Sequence, residues 1–333
     1  MRITLVTGIY PPEIGGPAQY AKNLKDIWVS KGHRVNVKIF GKFQWLPWGI
    51  RHLFFMFYII PTVIMSDCIF TLDAFSSGVV LVVGKIFSKK VIFRTGGDAL
   101  WEGYVERTGD LVLLSSFYKT KLNNLNTKEK IMFRLMRWTL QNLSAIIWST
   151  EWQREIFMEP YGLSNQQHFI IENYYGPKVE SFVPERKNFI AGTRPLKWKN
   201  GERLKKVFDK PEIKGDFLEY DNTTTPQDQF LEKIQHAYAV IIATLGDISP
   251  NTILDAISCN KPFILTVENG LTPRIKDIAV FVDPQNEEDI KNKVLWLSNE
   301  ANYQMQKRKI EGFTFTHTWE EMGQEYLDIY KKI

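Results

Sequence analysis

Residues 2–40 read RITLVTGIYPPEIGGPAQYAKNLKDIWVSKGHRVNVKIF, and the order of patterns in this segment indicates the fold class. The β-branched run Arg2–Thr7 predicts a strand, and the amphipathic stretch Ala18–Lys31 predicts a helix. Arg34–Phe40, which follows the turn Gly32-His33, predicts a second strand. A strand, a helix and a strand in succession are typical of a parallel βαβ unit, in which ligands bind at the carboxyl ends of the strands.

The same alternation of short β-branched runs and longer amphipathic stretches continues along the chain. It predicts further strands at Cys68–Leu72, Lys90–Arg94, Ala145–Ser149, Asn188–Gly192, Tyr238–Thr244 and Pro262–Thr266. It predicts further helices around Leu53 and at Ser77–Phe87, Lys128–Leu143, Glu202–Val207, Asn251–Ser258, Glu287–Leu297 and Thr318–Lys332. The sequence therefore predicts an α/β protein with two Rossmann-like, doubly wound domains that face a central cleft.

The domain boundary is predicted near the middle of the chain. A length of 333 residues exceeds the usual size of one hydrophobic core, so two domains are expected. Residues 1–173 would form the first domain and residues 174–314 the second. The segment Tyr174–Lys187 contains glycine and prolines, and we interpret it as an interdomain linker.

Composition excludes several classes of protein. Hydrophobic residues make up 44% and charged residues 24% of the chain, which excludes a disordered, collagen-like or coiled-coil protein. The net charge of +5 suits an anionic ligand or a membrane surface, but no long Lys/Arg block occurs, so we expect no nucleic-acid partner. The two cysteines, Cys68 and Cys259, fit neither a disulfide framework nor a zinc motif, which favours a reducing compartment. Because the apolar run Met1–Thr7 is too short for a signal peptide, we expect a cytoplasmic protein.

The longest apolar run, Leu53–Met65, is shorter than the roughly 20 residues of a membrane span and contains Pro61. We interpret it as a core-facing helix. The aromatic and basic stretch before it, Lys42–Arg51, leaves a second interpretation open, in which the segment lies on a membrane surface.

The loop between the first strand and its helix contains Gly15-Gly16-Pro17. In nucleotide-binding folds this loop often presents backbone amides to phosphate, and glycines let a ligand approach the backbone closely. The loop does not have the spacing of the dinucleotide fingerprint G-x-G-x-x-G. A plain turn in which Pro17 begins the helix is an equal alternative.

A pair of carboxylates lies in the second half of the chain. Asp247 follows a predicted strand, and Asp255 lies eight residues later on the next helix. Both carboxylates can face one ligand and accept hydrogen bonds from sugar hydroxyls. The helix start, Ser249-Pro250-Asn251-Thr252, directs backbone amides the same way, which suits a phosphate. In a structural alternative, Ser249 caps the helix and Pro250 is its first residue.

Two further strand ends carry charged residues. Arg194 and Lys199 follow the strand that ends at Gly192-Thr193, and a guanidinium and an ammonium there suit a departing diphosphate if no metal is present. A solvated basic loop is the alternative. The segment Arg94-Thr95-Gly96-Gly97-Asp98 places Asp98 where it could reach a reacting hydroxyl, with a buried structural turn as the alternative.

In their order and spacing these pieces resemble the retaining glycosyltransferases of family 4, which have the GT-B fold. The resemblance covers nearly the whole chain. Its motifs are the loop Pro11-Pro12-Glu13-Ile14-Gly15-Gly16, Asn173 at the end of the first domain, the pair Arg194 and Lys199, and Asp247-x7-Asp255 in place of the family's Glu-x7-Glu. Trp319 begins what resembles the last helix of that fold, which crosses back, so that residues 315–333 would join the first domain.

The resemblance implies transfer of a hexose from a nucleotide-diphosphate sugar, such as a UDP- or GDP-sugar, to an acceptor hydroxyl with retention of configuration. It implies that neither a metal nor another cofactor is needed. The donor would bind the second domain, and the acceptor, a carbohydrate or a lipid-linked molecule, would bind the first. Asp255 would hold the ribose and Asp247 a donor-sugar hydroxyl. Arg194 and Lys199 would stabilise the diphosphate, and the Gly15-Gly16 amides would contact donor phosphate or acceptor.

The chain departs from the family pattern in three places. Gly97 stands where the family often has a histidine before its equivalent of Asp98. Both motif carboxylates are one methylene shorter than glutamate, and the interval from Arg194 to Asp247 is short enough to lack a strand–helix unit. Two alternatives therefore stay open, a non-catalytic or accessory GT-B homologue and a nucleotide-sugar epimerase. We expect a role in polysaccharide or glycolipid synthesis, in the cytoplasm or held peripherally on the inner face of the membrane.

Overall fold

The computed structural model describes residues 1–13, 15–163, 167–191, 194–216, 218–223 and 227–333, apart from the side chains of Gln227 and Asp228. The strands are β1 (Arg2–Thr7), β2 (Arg34–Ile39), β3 (Cys68–Thr71), β4 (Val91–Thr95), β5 (Ala145–Trp148), β6 (Gln167–Ile170), β7 (Asn188–Ile190), β8 (Glu219–Asp221), β9 (Ala239–Ile242), β10 (Phe263–Thr266) and β11 (Val280–Val282). The α-helices are α1 (Gly16–Ser30), α2 (Trp48–Met65), α3 (Ala74–Ile86), α4 (Ala99–Thr108), α5 (Leu114–Thr120), α6 (Thr127–Asn142), α7 (Glu151–Tyr161), α8 (Gly201–Phe208), α9 (Pro211–Gly215), α10 (Gln227–His236), α11 (Asn251–Ser258), α12 (Thr272–Ile275), α13 (Glu287–Ser298), α14 (Glu300–Glu311) and α15 (Trp319–Lys332). Short 3-10 helices occupy Phe40–Phe43, Leu122–Asn124 and Lys197–Lys199.

The chain forms two compact units. The first contains residues 1–100, 125–173 and 318–333, and the second contains residues 101–124 and 174–317. The sequence prediction placed residues 101–124 in the first domain, whereas the structure groups this segment with the second unit.

The first unit is built on a six-stranded sheet with the order β2-β1-β3-β4-β5-β6. All its strand pairs are parallel, as predicted from the alternation of strands and helices. The four central strands are almost completely buried, which is typical of a parallel sheet with helices on both faces. Helix α15 packs on α1, where the indole of Trp28 donates to the carbonyl of Gly323 at 2.9 Å and the hydroxyls of Tyr20 and Tyr326 lie 3.0 Å apart.

The second unit is built on a five-stranded parallel sheet with the order β11-β10-β9-β7-β8. Its core includes a cluster on β9, β10 and α11 and a second cluster on β7, α8 and α13. The segment Tyr174–Lys187 is not a free linker, because it forms backbone hydrogen bonds with other segments of the second unit. Tyr175 and His317 exchange backbone hydrogen bonds of 3.0 Å, and the amide of Val179 donates to the carbonyl of Ser258.

Residues 101–124 join the second unit through specific contacts. The amide of Leu114 donates to the carbonyl of Leu245 at 3.0 Å, and the ring of Trp101 lies 5.4 Å from the ring of Trp198. The amide of Lys197 donates to the carboxylate of Glu106 at 2.6 Å. Since these partners are far away in sequence, periodicity within 101–124 does not reveal them.

Helix α2 is longer and more exposed than a core-facing helix. Of its 18 residues only Phe55, Ile59, Thr62 and Val63 are buried, and the helix continues through Pro61. Among the described helices α2 alone has the length and hydropathy that a membrane crossing requires, with a mean hydropathy of 1.4. The core-facing interpretation therefore accounts for one face of α2 only.

Cys68 and Cys259 are both buried free thiols. Burial raises the pKa of Cys259 to about 11, and it raises the pKa of Cys68 as well. Neither thiol belongs to a disulfide, in agreement with the prediction from the number of cysteines.

Candidate functional site

The carboxyl ends of β7, β9 and β10 lie side by side in the second unit, because these three strands are neighbours in its parallel sheet. The loop after β7 contains the 3-10 helix Lys197–Lys199, which Asn200 ends in the left-handed conformation, with φ 62°. The side-chain amide of Asn200 donates to the carbonyls of Ala243 and Pro284 at 2.8 Å each. Asparagine tolerates this backbone conformation, so Asn200 fixes Lys199 beside the end of β9.

Lys199 and Asp247 form an ion pair in which Nζ and Oδ2 are 2.7 Å apart. Each side chain is 16% exposed, and the ammonium also lies 4.2 Å from the ring centroid of Trp198. Opposite charges that are partly removed from water interact more strongly than an exposed pair. An ammonium has three donors, so Lys199 can hold Asp247 and still donate to a phosphate oxygen.

The backbone around Asp247 is tied to the loop after β10. The amide of Asp247 donates to the carbonyl of Glu268 at 2.9 Å, and Asp247 forms a parallel bridge with Asn269. The carboxylate of Glu268 accepts from the amide of Ser115 at 3.2 Å and from its hydroxyl at 2.9 Å. Glu268 was not predicted as a site residue, although its position two residues after a predicted strand could have indicated it.

Helix α11 begins at Asn251, as predicted, but Ser249 does not cap it. The N-cap residue is Pro250, which makes no side-chain cap hydrogen bond, and its carbonyl accepts from Ile253 at 3.0 Å. The structural interpretation of Ser249 is therefore wrong, because the chain turns into the helix one residue later than that cap requires. The first amides of a helix have no partner within it, so Asn251 and Thr252 can face a ligand. Asp255 lies one turn further along α11 and is partly exposed.

Arg194 is exposed in the loop that leads from β7 to the 3-10 helix. Its carbonyl accepts from the amide of Leu196 at 2.7 Å, and its guanidinium forms no ion pair with another described residue. Gly192 and Thr193, which precede Arg194 in the predicted motif, lie outside the described residues. The structure thus brings Lys199 and Asp247 into contact and leaves Arg194 at the surface of the same loop.

Gly246, next to Asp247, is closely packed. A Cβ atom at this position would lie 2.5 Å from Cβ of Leu114 and 3.2 Å from Cη2 of Trp101. We expect Gly246→Ala to lower the free energy of unfolding by about 1–3 kcal/mol, because overpacking displaces neighbouring side chains. Urea denaturation measures the change.

The control is Gly103→Ala, since a Cβ atom at Gly103 meets nothing within 4 Å and the position is helical. There we expect a gain of about 0.5–1 kcal/mol from the better helix propensity of alanine. Equal stabilities for the two variants would contradict the close contact at Gly246.

In the first unit, Gly15 and Gly16 lie at the start of α1. Gly15 is the N-cap residue with φ 153°, Gly16 is the first helical residue, and Pro17 lies in the first turn. Pro17 is therefore the second residue of the helix, one position later than the structural interpretation gives it. Contact between these amides and a phosphate stays a prediction, and Ile14 lies outside the described residues.

Asp98 lies between β4 and α4 and is buried, with an exposure of 4%. Its Oδ1 accepts from the amide of Leu100 at 3.1 Å, so it stabilises the turn whether or not it reaches an acceptor hydroxyl. Arg94, near the end of the same strand, contacts Tyr20 and Asn173. Its guanidinium lies 3.9 Å from the ring centroid of Tyr20 and donates to the side chain of Asn173.

A second acidic residue, Asp73, lies at the end of β3 and was not predicted as a site residue. Its Oδ2 accepts from the amide of Ser76 at 2.7 Å and caps α3. Burial raises the pKa of Asp73, which is the direction expected for a carboxyl group removed from water. Its place directly after a predicted strand is the signal that could have identified it.

Next to these residues the first unit has a cavity of about 400 Å³ between α2, α3, α6 and α7. Its walls are mostly apolar side chains, and its lining includes Thr95, Gly97 and Asp98 from the end of β4. This volume lies within the roughly 300–1,000 Å³ of small-molecule sites. The cavity was not predicted from the sequence.

Known proteins match this chain in structure but not in sequence. No family model matches the sequence, and no curated protein sequence matches it. The structure is similar to sucrose-phosphate synthase from Thermosynechococcus elongatus, with a TM-score of 0.71, 12% identity, and coverage of 99% of this chain and 98% of that one. It is similar to Anabaena HepE in complex with UDP, with a TM-score of 0.69, 10% identity and complete coverage of both chains. It is also similar to a trehalose-6-phosphate synthase, with a TM-score of 0.67, 9% identity, and coverage of 100% and 99%.

The fold is GT-B. Both sheets are parallel with flanking helices, as the resemblance in the sequence implied, and the similarity extends over the whole chain. At these identities the comparisons establish the GT-B fold alone. Membership of family 4 stays a prediction.

Proposed function

We propose that this GT-B protein is a glycosyltransferase that moves a sugar from a nucleotide-diphosphate sugar to an acceptor hydroxyl. The observation that carries the proposal is the ion pair of Lys199 and Asp247 at the carboxyl ends of β7 and β9, with the exposed Arg194 on the same loop as Lys199. Ligands of parallel α/β sheets bind at this edge of the sheet. The solved HepE structures contain UDP, UDP-glucose, or UDP with glucose, which supports a UDP-sugar as the first donor to test.

The donor's diphosphate would be bound by cationic groups and helix amides. Arg194 offers a planar fork of donors, and Lys199 offers a compact charge that Asp247 already orients. The start of α11 adds the amides of Asn251 and Thr252 together with its helix dipole. Asp255 on the same helix would accept from the ribose.

The reaction would proceed with retention and without a metal. The bond between the anomeric carbon and the diphosphate oxygen breaks, while the acceptor oxygen attacks on the same face and its proton passes to the departing phosphate. Arg194 and Lys199 stabilise the negative charge that develops on the leaving group.

We propose that the acceptor binds the first unit, near Asp98 and the amides of Gly15 and Gly16. A carbohydrate or lipid-linked acceptor would place the enzyme in polysaccharide or glycolipid synthesis. The protein would act in the cytoplasm or peripherally on the inner face of the membrane.

A thermal-shift titration with UDP, GDP, ADP and their sugar conjugates, with and without EDTA, tests donor binding. A ligand at 100 times its dissociation constant adds about 2.7 kcal/mol to the free energy of unfolding, which gives a clear increase in Tm. We expect a shift with one nucleotide diphosphate that EDTA leaves unchanged. A shift that EDTA abolishes and manganese restores would contradict metal independence.

Two other results would contradict the transferase. No shift with any nucleotide would favour a non-catalytic GT-B homologue. Conversion of the donor sugar in the absence of an acceptor would favour an epimerase.

A further inference from the structure

The cavity of the first unit connects the end of β4 with the outer helices. Its inner end contains Thr95 and Asp98, and its outer walls contain Leu53 of α2, Val82 of α3 and Leu135 of α6. These three outer side chains are also exposed to solvent. The cavity is therefore a mostly apolar pocket that extends from a polar end at Asp98 to the molecular surface.

The surface around this pocket is unusually apolar. We call the following exposed residues of α2, α3 and α6 the apolar face: Leu53, Phe57, Ile86, Ile131, Leu135 and Trp138. Phe57 is 67% exposed. Ile131, Leu135 and Trp138 of α6 are also exposed, whereas the buried residues of that helix are Glu129, Thr139 and Leu140. Exposed apolar side chains concentrated on neighbouring helices in this way are typical of an interaction site.

The charge of the same helices indicates what covers the apolar face. Residues 42–90 and 127–142, which include these helices and the segments next to them, contain nine Lys and Arg residues and three acidic residues, Asp67, Asp73 and Glu129. Glu129 is buried in the capping box of α6, so it does not offset the surface charge. Apolar side chains with surrounding Lys and Arg suit a membrane surface that contains anionic lipid.

Helix α2 cannot cross the membrane within this fold. It connects β2 and β3, which are both parallel neighbours of β1, so its two ends remain at one sheet. Its buried side also packs inward, with the ring of Phe55 5.1 Å from the ring of Phe40. A membrane could therefore be contacted only along its surface by the apolar face.

We propose that the acceptor is a membrane lipid whose hydrocarbon chain occupies the pocket, with its polar head at Asp98 and the apolar face inserted into an anionic bilayer. This inference rests on the proposed glycosyltransferase function. Tail and head then fit the two ends of the pocket, since the tail meets apolar walls and the hydroxyl-bearing head meets Thr95 and Asp98.

Photo-crosslinking with a phosphatidylglycerol whose acyl chain carries a diazirine tests the pocket. The probe is added to vesicles of phosphatidylcholine and phosphatidylglycerol, and the labelled peptides are mapped by mass spectrometry. We expect sedimentation with these vesicles, about tenfold weaker with phosphatidylcholine alone, and label on pocket residues of α3 and α6 such as Val79 and Met136. Label confined to the exposed side chains of α2 would overturn the proposal that the chain occupies the pocket. A lack of sedimentation with the vesicles would overturn the whole proposal.

The second test fills the pocket with a larger side chain. We expect Val79→Trp to reduce labelling of Met136 at least fivefold while vesicle sedimentation remains, because the new ring occupies the space of the chain. Val82→Trp, at the mouth of the pocket, repeats the test if Val79→Trp does not fold. The control is Val29→Trp, an exposed valine of α1 outside the pocket, which should label like the wild type. Unchanged labelling in both folded pocket variants would overturn the proposal.

The nucleotide titration without vesicles distinguishes failure of the lipid-acceptor proposal from failure of the proposed glycosyltransferase function. A nucleotide-dependent shift without lipid labelling would leave a glycosyltransferase with a soluble acceptor and overturn the lipid. Lipid labelling without any nucleotide shift would overturn the transferase and, with it, the assignment of the lipid as acceptor.

Discussion

Arg194→Ala is expected to lower kcat by about 30- to 1,000-fold, which corresponds to about 2–4 kcal/mol of lost transition-state stabilisation. The guanidinium fork would hold the departing diphosphate, and alanine offers neither its charge nor its donors. Because Arg194 is exposed and forms no ion pair with another described residue, the free energy of unfolding should not change. Steady-state kinetics and urea denaturation together measure the two effects.

Two further variants sharpen this test. Arg308→Ala removes an exposed arginine from α14 and should leave kcat unchanged. Arg194→Lys keeps the charge but loses the paired donors, so its kcat should lie between those of wild type and Arg194→Ala. Turnover at the wild-type level in Arg194→Ala would remove Arg194 from the proposed site.

Lys199→Met should reduce both turnover and stability. We expect a loss of about 100-fold in kcat, because the ammonium no longer reaches the diphosphate. We also expect a loss of about 1–3 kcal/mol in the free energy of unfolding, because Asp247 stays partly buried without its partner. The same kinetic and urea measurements separate the two losses.

The double variant Lys199→Met/Asp247→Asn separates catalysis from structure. It removes both charges, so stability should return toward the wild-type value while turnover stays low. The control is Lys291→Met, which removes an ion pair of 2.7 Å with Glu288 on α13 and should lower stability without lowering kcat. Recovery of turnover in the double variant would make the Lys199–Asp247 pair purely structural.

The sequence predicted the central elements because they carry strong patterns. Strand β1 and helix α11 have the predicted limits, and the other central strands agree within a few residues. Strand β8 was missed because it is an edge strand of three residues, Glu219–Asp221, with two acidic side chains. Strand β6 is likewise an edge strand without a buried run.

The positions of the candidate site residues at strand ends were predictable, but the contacts of these residues were not. A parallel sheet brings the ends of neighbouring strands to one edge, so Lys199 and Asp247 could be expected near each other. Their ion pair depends on the turn that Asn200 fixes, and the support from Glu268 depends on Ser115, 153 positions away in the chain. Such tertiary contacts leave no local pattern in the sequence.

The division of the chain between the two units also affects the order in which the units can fold during synthesis. The first unit needs α15, whose Tyr326 and Gly323 pack against α1, yet the ribosome makes all of Tyr174–His317 before it reaches that helix. Residues 101–124 emerge early but find their partners Leu245 and Glu268 only much later. A nascent chain of 173 residues therefore exposes apolar side chains of both units. This protein cannot complete its first unit before its second during translation, in contrast to the usual order in which N-terminal domains fold first.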